Sequence, residues 1–189
     1  MLTNTDIIEI KLSTFELKLC QYLTDRKRES REKLGIYVPG RSAIRTDTAE
    51  RKQHVWNDSL IGITGELATS LYLFNSPKPF LAARRKADAN TLSGDGGSDF
   101  LDIKLDVKSS AIRYDHLKLV DYHLYVPANE LHQVDYVLCL IKESAAYLVG
   151  WTDYKTLEKT KGTNKKFPGF YCIQGKRLNP MADYWISQI

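Results

Sequence analysis

The chain has 189 residues, of which 43% are hydrophobic and 26% are charged. This length favours one domain with a sizeable core, and this balance excludes wholesale disorder. No apolar run is long enough to cross a membrane, and the N-terminus shows no secretory leader. The three cysteines are far apart and form no CxxC pair, which favours buried thiols over disulfides or a zinc finger. We therefore expect a cytoplasmic protein without a membrane partner.

The net charge of +4 is unevenly distributed along the chain. Residues 26–33 hold five bases against two acids, residues 84–86 are all basic, and residues 155–177 hold seven bases and one acid. Residues 94–106 instead hold four acids and one base. Each basic run alone could be a solvated helix face. An acidic segment within a basic protein favours a metal site on a surface that attracts phosphate groups.

The first predicted element is a helix from Ser13 to Leu34. Ser13 and Glu16 have the spacing of a capping box, and Gly35 is a suitable C-terminal stop. Residues 36–46 follow as a loop. The apolar stripe of this helix, predicted to face the core, consists of Phe15, Leu19, Tyr22 and Leu23.

Two more helices are expected before the acidic segment. One begins near Thr46 or Asp47 and breaks at Asn57-Asp58, a pair that would cap the next helix. That next helix covers residues 59–74, and its apolar residues recur at helical spacing. Because most of its surface is apolar, we expect it to pack against a sheet.

Glu66 lies in the middle of this helix, with Gly62, Thr69 and Ser70 beside it on the same stripe. Such small neighbours allow a helix to approach another backbone closely. A carboxylate at the border of a buried face is rare unless it is paired or binds a cation. Two interpretations therefore stay open: a rim residue that reaches solvent or a lysine, and a third carboxylate of the acidic site.

The acidic segment is predicted to be a hairpin. Apolar and polar residues alternate from Leu101 to Val107, which indicates a strand with one buried face. A glycine-rich turn at 94–97 precedes it, so residues 98–100 form the natural first arm, and Asp99 then faces Asp106. Carboxylates directly opposite each other, with Cβ atoms roughly 4.5–5.5 Å apart, repel each other. A divalent cation bound by their oxygens would offset that repulsion.

The remaining elements are expected to be mostly strands. A short strand near residues 80–83 precedes the acidic segment. A short helix over 152–159, capped by Thr152, is followed by a loop at 162–168. Helices first and strands later favour an α/β or α+β arrangement. Further strands are predicted at 119–126, 134–141, 146–151 and 170–174.

Lys108 follows Asp106 by two residues and therefore lies on the same face of the predicted strand. Two acids that can hold a metal, with a lysine beside them, form a site suited to chemistry on a phosphate. The series of Glu66, Asp99 and Asp106-Val107-Lys108 resembles the PD-(D/E)xK nuclease signature, with Ser98 at the position of the proline.

The resemblance implies an α/β fold with a restriction-endonuclease-like core, in which a central mixed β-sheet is flanked by helices. The catalytic core would cover residues 55–151 of a single domain spanning 1–189. Residues 1–50 would be an added N-terminal helical segment, and residues 152–189 a basic C-terminal segment.

The resemblance also implies an activity, that of a Mg²⁺-dependent nuclease, most simply an endonuclease, which hydrolyses DNA phosphodiester bonds. Asp99, Asp106 and the backbone carbonyl of Val107 would bind the metal, for which Mn²⁺ could substitute. Lys108 would assist the attacking water. Glu66 would be an additional ligand or would orient a metal-bound water.

The partner implied is DNA, either double-stranded or structured, and a two-fold homodimer would suit double-strand cutting. The basic residues expected to contact nucleic acid are Arg84, Arg85, Lys86, Lys165 and Lys166.

A second hypothesis is a non-catalytic nucleic-acid-binding or interaction module on the same fold, whose DNA binding would be salt-sensitive and independent of Mg²⁺.

A second D-x-K run, Asp102-Ile103-Lys104, is rejected because Asp99 and Asp102 are too close in sequence to face each other across a hairpin. The histidines are scattered, which argues against a zinc hydrolase. No Gly-x-Ser-x-Gly motif is present, which argues against a serine hydrolase. The glycines at 94–97 lead into a strand, which argues against a phosphate loop.

Overall fold

The computed structural model describes residues 1–33, 49–89, 98–162 and 168–185. Several sequence predictions fall outside these ranges. They are the helix stop at Gly35, the loop at 36–46, the helix start near Thr46 or Asp47, the glycine-rich turn at 94–97, most of the loop at 162–168, and the basic residues Lys165 and Lys166.

Helices and strands are interleaved along the described chain, with short 3-10 turns between several of them. In chain order the elements are β1 (Ile8–Lys11), α1 (Thr14–Lys33), α2 (Ala49–Phe74), α3 (Lys78–Ala89), β2 (Leu105–Ala111), β3 (His123–Pro127), β4 (Asp135–Lys142), β5 (Ala145–Thr152), α4 (Tyr154–Glu158) and β6 (Phe170–Gln174).

The described strands form two sheets. The larger sheet has the order β1-β5-β4-β2, in which β2 runs parallel to β4 and β5 runs antiparallel to both of its neighbours. The smaller sheet is an antiparallel pair of β3 and β6. The larger sheet is therefore mixed and has helices packed on it, which confirms the coarse prediction of a mixed α/β fold.

A hydrophobic core lies on each face of the larger sheet. Because side chains alternate along a strand, Val137 of β4 faces one core and Leu138 faces the other. The first core is completed by the helices, with Cys20 of α1 and Leu67 of α2 fully buried. The second core is completed by the smaller sheet, including Ile173. The larger sheet is thus a central layer between helices and a two-stranded sheet.

Helix α1 has the predicted start but a different buried face. The Ser13 backbone N–H donates to Oε2 of Glu16 at 2.6 Å, and Ser13 Oγ accepts from the Glu16 N–H at 3.3 Å, which forms the capping box. Phe15 and Tyr22, predicted to be buried, are 75% and 55% exposed. The face turned to the core instead carries Leu17, Cys20 and Leu23.

Helix α2 is continuous, so the predicted break at Asn57-Asp58 is wrong. Both residues are exposed on the helix surface. Asn57 accepts a hydrogen bond from Gln53 at 3.0 Å along the helix, and the neighbouring Trp56 donates its indole N–H to Asp25 of α1 at 2.9 Å. These contacts along α2 and with α1 outweigh the weak capping preference of the pair.

A helix replaces the strand predicted near residues 80–83. The backbone N–H of Lys78 donates to Ser76 Oγ at 3.2 Å at the start of α3, and Pro79 lies in the first turn, where proline is tolerated. Phe80 is fully buried within the resulting helix. A four-residue apolar run does not distinguish a strand from a buried turn of helix, which explains the error.

The later strands β4, β5 and β6 confirm the predictions within one residue at each end. The predicted strand at 119–126 is a 3-10 turn followed by β3, and α4 is capped by Asp153 rather than Thr152. Oδ1 of Asp153 accepts the N–H of Thr156 at 2.9 Å. Strand β1, which pairs with β5, was not predicted. Among the described residues, no helix is long and apolar enough to cross a membrane.

We expect the folded protein to resist thiol reagents. All three cysteines are buried and unbridged. Burial raises the pKa of Cys20 to about 11 and that of Cys139 to about 12, so the reactive thiolate is scarce at neutral pH. Ellman's reagent should therefore detect no rapidly reacting thiol in the native state and three after denaturation in guanidinium. A thiol that reacts within seconds in the native protein would contradict the buried placement.

Candidate active site

The acidic segment folds as a tight bend rather than a two-armed hairpin. β2 begins at Leu105, not at Leu101, and the predicted first arm at 98–100 is not a strand. The hydroxyl of Ser98 donates to the carbonyls of Phe100 at 2.9 Å and Ile103 at 2.8 Å, which closes the bend. Because these carbonyls are held by a side chain, the segment does not need a ladder of strand hydrogen bonds.

Asp99 lies at the edge of β2 that faces away from β4. Its backbone N–H donates to the Leu105 carbonyl at 2.8 Å, and its Oδ2 accepts the backbone N–H of Val107 at 2.6 Å. Because N–H and C=O of a strand residue point to the same side, the Val107 carbonyl faces this edge too. Asp99 thus occupies a position next to the predicted carbonyl ligand, at what is the outer edge of the larger sheet among the described strands.

Asp106 and Lys108 lie two residues apart on one face of β2, as the alternation predicts. Asp106 is 6% exposed, and Nζ of Lys108 lies 3.0 Å from its Oδ2. The same ammonium lies 3.3 Å from Oε2 of Glu130, in the turn after β3. Glu130 was not identified from the sequence, because no local pattern indicates that the turn after β3 packs beside β2.

Glu66 reaches the site from α2 and is held by an arginine. It is 7% exposed. Arg84 of α3 binds it with two hydrogen bonds, from Nε to Oε2 at 2.9 Å and from Nη2 to Oε1. The guanidinium also lies 5.9 Å from the ring centroid of Phe80, one turn earlier in the same helix. Glu66 therefore does not reach solvent or a lysine, as the rim interpretation expected, because its partner is the partly buried fork of Arg84.

The three acids are close enough to influence each other. Burial, followed by the charges of Glu66 and Asp106, raises the pKa of Asp99 well above its usual value, and the Val107 N–H and Arg84 offset only part of this. Burial opposes the charged form of Lys108, but the charge and hydrogen bond of Asp106 outweigh it and raise the pKa of that lysine. The site thus concentrates negative charge around Asp99 and keeps Lys108 cationic.

The donor chemistry fits a hard divalent cation, because the converging groups are carboxylate oxygens and one backbone carbonyl. As the side chains stand, two of the acids are taken by Arg84 and Lys108. Within the part of the chain that the structure describes, no three or more His, Cys, Asp or Glu side chains are close enough to hold a metal ion together. An ion bound at Asp106 would therefore compete with the Lys108 ammonium for that carboxylate.

The basic residues predicted to contact nucleic acid have different surroundings. Arg84 points inward to Glu66, while Arg85 and Lys86 are exposed on α3. Lys165 and Lys166 lie outside the described residues. The rejected acid and base of the second D-x-K run, Asp102 and Lys104, are both exposed, so they have the surroundings of ordinary surface charges.

Comparison with protein-family models, with curated proteins and with solved structures found no match for this chain.

Proposed function

We propose that the chain is a Mg²⁺-dependent nuclease that hydrolyses DNA phosphodiester bonds, as an endonuclease with a PD-(D/E)xK site. The observation that carries the proposal is the convergence of Asp99 and Asp106 with Lys108 at the start of β2. Two like charges in a buried position are costly, and their cost argues for a bound cation as part of the function. The order of α2, the bend, β2 and β4 is compatible with a restriction-endonuclease-like core.

In this proposal each residue has a role that its position allows. Asp99, Asp106 and the Val107 carbonyl hold Mg²⁺ or Mn²⁺, and Glu66 is a further ligand or orients a water. The metal, when bound, lowers the pKa of a coordinated water and screens negative charge in the transition state. The Lys108 ammonium, kept cationic by its acidic neighbours, positions the nucleophile and stabilises developing negative charge.

The partner proposed is double-stranded or structured DNA. Arg85 and Lys86 are exposed on α3, the helix that also supplies Arg84 to the site, so the basic surface lies on an element of the site itself. Lys165 and Lys166, which lie outside the described residues, are proposed as further nucleic-acid contacts. A two-fold homodimer would place two sites on one duplex.

The second candidate is a non-catalytic nucleic-acid-binding or interaction module. The ion pairs favour it, because Glu66 and Asp106 already have internal cationic partners and need no metal for charge balance. The two candidates differ in what Asp106 does. In a nuclease its removal abolishes turnover, whereas in a binding module its removal leaves DNA binding intact.

The test is cleavage of supercoiled plasmid in Mg²⁺, Mn²⁺ or EDTA by the wild type, Asp106→Ala and Lys108→Ala. We expect metal-dependent nicking or linearisation that falls at least ~100-fold in both variants, the usual scale for loss of a catalytic group. Asp102→Ala is the matched control, because it removes an exposed acid of the same segment and should cleave like the wild type. Undiminished cleavage by Asp106→Ala would exclude the assigned site.

A further inference from the structure

Arg84 and Glu66 form a two-point ion pair at the border of the candidate site. The guanidinium presents Nε and Nη2 to both oxygens of one carboxylate. This two-point geometry is the one by which arginine also binds a phosphate group, so a carboxylate and a phosphate compete for the same fork. The Arg84 side chain is 19% exposed and that of Glu66 is 9% exposed, so the pair is shielded but not sealed off.

We propose that Arg84 is a phosphate-binding residue that exchanges Glu66 for a phosphate of the nucleic-acid backbone when substrate binds. This inference rests on the proposed function and specifies how its substrate is held. In the resting state Glu66 occupies the fork and lowers the affinity for phosphate. Arg85 and Lys86 follow on α3 and are exposed, so a nucleic-acid strand along this helix has further cations to contact.

The balance of charged groups around Arg84 and Glu66 connects the exchange to the rest of the site. The described charged groups that interact here are four acids, Glu66, Asp99, Asp106 and Glu130, and two bases, Arg84 and Lys108. This excess of acids repels a phosphate. In addition, an exchange that only moved Arg84 from Glu66 to a phosphate would leave Glu66 as a buried anion without its partner. A divalent cation bound at Glu66 would balance that charge. Phosphate binding at Arg84 and cation binding at Glu66 are therefore expected to favour each other.

The exchange predicts an unusual result for an active-site acid. Glu66→Gln removes the charge that occupies both donors of the Arg84 fork, so the variant should bind DNA more tightly than the wild type in EDTA. Arg84→Gln should bind DNA roughly 10-fold more weakly, the scale of one charge-assisted hydrogen-bonded contact, and should lower the slope of log affinity against log salt by about one. Fluorescence anisotropy of a labelled DNA duplex across a range of KCl concentrations measures both.

The double variant separates exchange from a general loss of negative charge. Glu66→Gln/Arg84→Gln should bind no more tightly than Arg84→Gln alone, because the gain from Glu66→Gln requires the arginine. Asp102→Asn, the matched charge control, should have the same small effect in the wild-type and Arg84→Gln backgrounds. Arg84→Gln leaves Glu66 without its fork and can unfold the protein, so circular dichroism and Arg84→Lys, which keeps the charge but not the fork, complete the set.

The result that overturns the exchange is a gain from Glu66→Gln that persists in the Arg84→Gln background, or an Arg84→Gln salt slope equal to that of the wild type. Either result together with normal metal-dependent cleavage by the wild type would leave the proposed nuclease intact and make Arg84 a structural partner of Glu66. Failure of the wild type to bind DNA under any condition would overturn both proposals.

Discussion

Replacement of Asp99 by Asn is expected to abolish cleavage and, at the same time, to raise the melting temperature of the protein at neutral pH. The amide oxygen of Asn can still accept the Val107 N–H, but the charge that Glu66 and Asp106 repel is gone. For a chain of this size each kcal/mol gained raises the melting temperature by about 2–4 °C. A site whose native carboxylate destabilises the fold is one in which function opposes stability.

The pH dependence of this gain follows from the raised pKa of Asp99. The proton is bound more tightly in the folded state, so the wild type has its full stability below the unfolded pKa of about 4 and loses stability as the pH rises through the folded pKa. Asn does not titrate there. The difference in melting temperature between the variant and the wild type should therefore be small near pH 4 and grow as the pH rises, as measured by circular dichroism in EDTA.

Two further measurements decide what this result means. Mg²⁺ should raise the melting temperature of the wild type by binding the folded state, and this rise should be absent in Asp99→Asn. Asp102→Asn, an exposed acid in the same bend, should change neither the melting temperature nor the response to Mg²⁺ appreciably. A lower melting temperature of Asp99→Asn at every pH would show that the carboxylate is needed for folding rather than strained by its neighbours.

Replacement of Gly65 by Ala should destabilise the protein strongly, although Ala is the better helix former. A Cβ at Gly65 would lie 2.0 Å from Ser109 Oγ, 3.0 Å from Ser109 Cβ and 3.4 Å from Cys139 Cβ. Overpacking of a core contact costs about 1–3 kcal/mol and helix propensity returns about 1 kcal/mol, so the expected net loss reaches about 2 kcal/mol. We expect a lower melting temperature and a lower urea midpoint, because α2 must move away from β2 and β4.

Gly62 offers a matched control in the same helix, one turn earlier. A Cβ there has nothing within 4 Å, so Gly62→Ala should stabilise the protein through helix propensity alone. Ser109→Ala should restore most of the loss caused by Gly65→Ala. Its hydroxyl is the main obstacle, and within the described part of the chain it is buried without a hydrogen-bond partner. Equal effects of the two Gly→Ala changes would refute the close contact.

These two glycines show which part of the helix–sheet contact could be predicted from the sequence. The small residues around Glu66 predicted a close approach of the helix, and the approach exists, but it occurs at Gly65 rather than at Gly62. Spacing along a helix predicts which face packs against the sheet. Which residue of that face makes the closest contact depends on the tilt of the helix over the sheet, and tertiary packing decides that tilt. The apolar strands β4 and β5 were predicted because both of their faces are buried, and that pattern is local.

The positions of the site residues were predictable in part. Local sequence was sufficient to place Asp106 and Lys108 on one face of a strand. Asp99 was placed by a hairpin that the structure does not contain, and its position depends on the bend that Ser98 closes. Arg84 was expected to contact nucleic acid because it belongs to a basic run. The packing of α3 on α2, which brings it to Glu66, has no sequence signature here. Glu130 reaches Lys108 only through the position of the smaller sheet, which depends on pairing between β3 and β6.

The pairing of β1 with β5 constrains how the chain folds during synthesis. Ile8 lies opposite Leu148, so β1 leaves the ribosome on the order of ten seconds before its partner at typical synthesis rates. Until then the two partly buried isoleucines of β1 have no sheet to join, and β5 in turn needs β1 to cover an exposed edge. Contacts so distant in sequence slow folding. We therefore expect the larger sheet to be completed late, when β1 joins the local hairpin of β4 and β5.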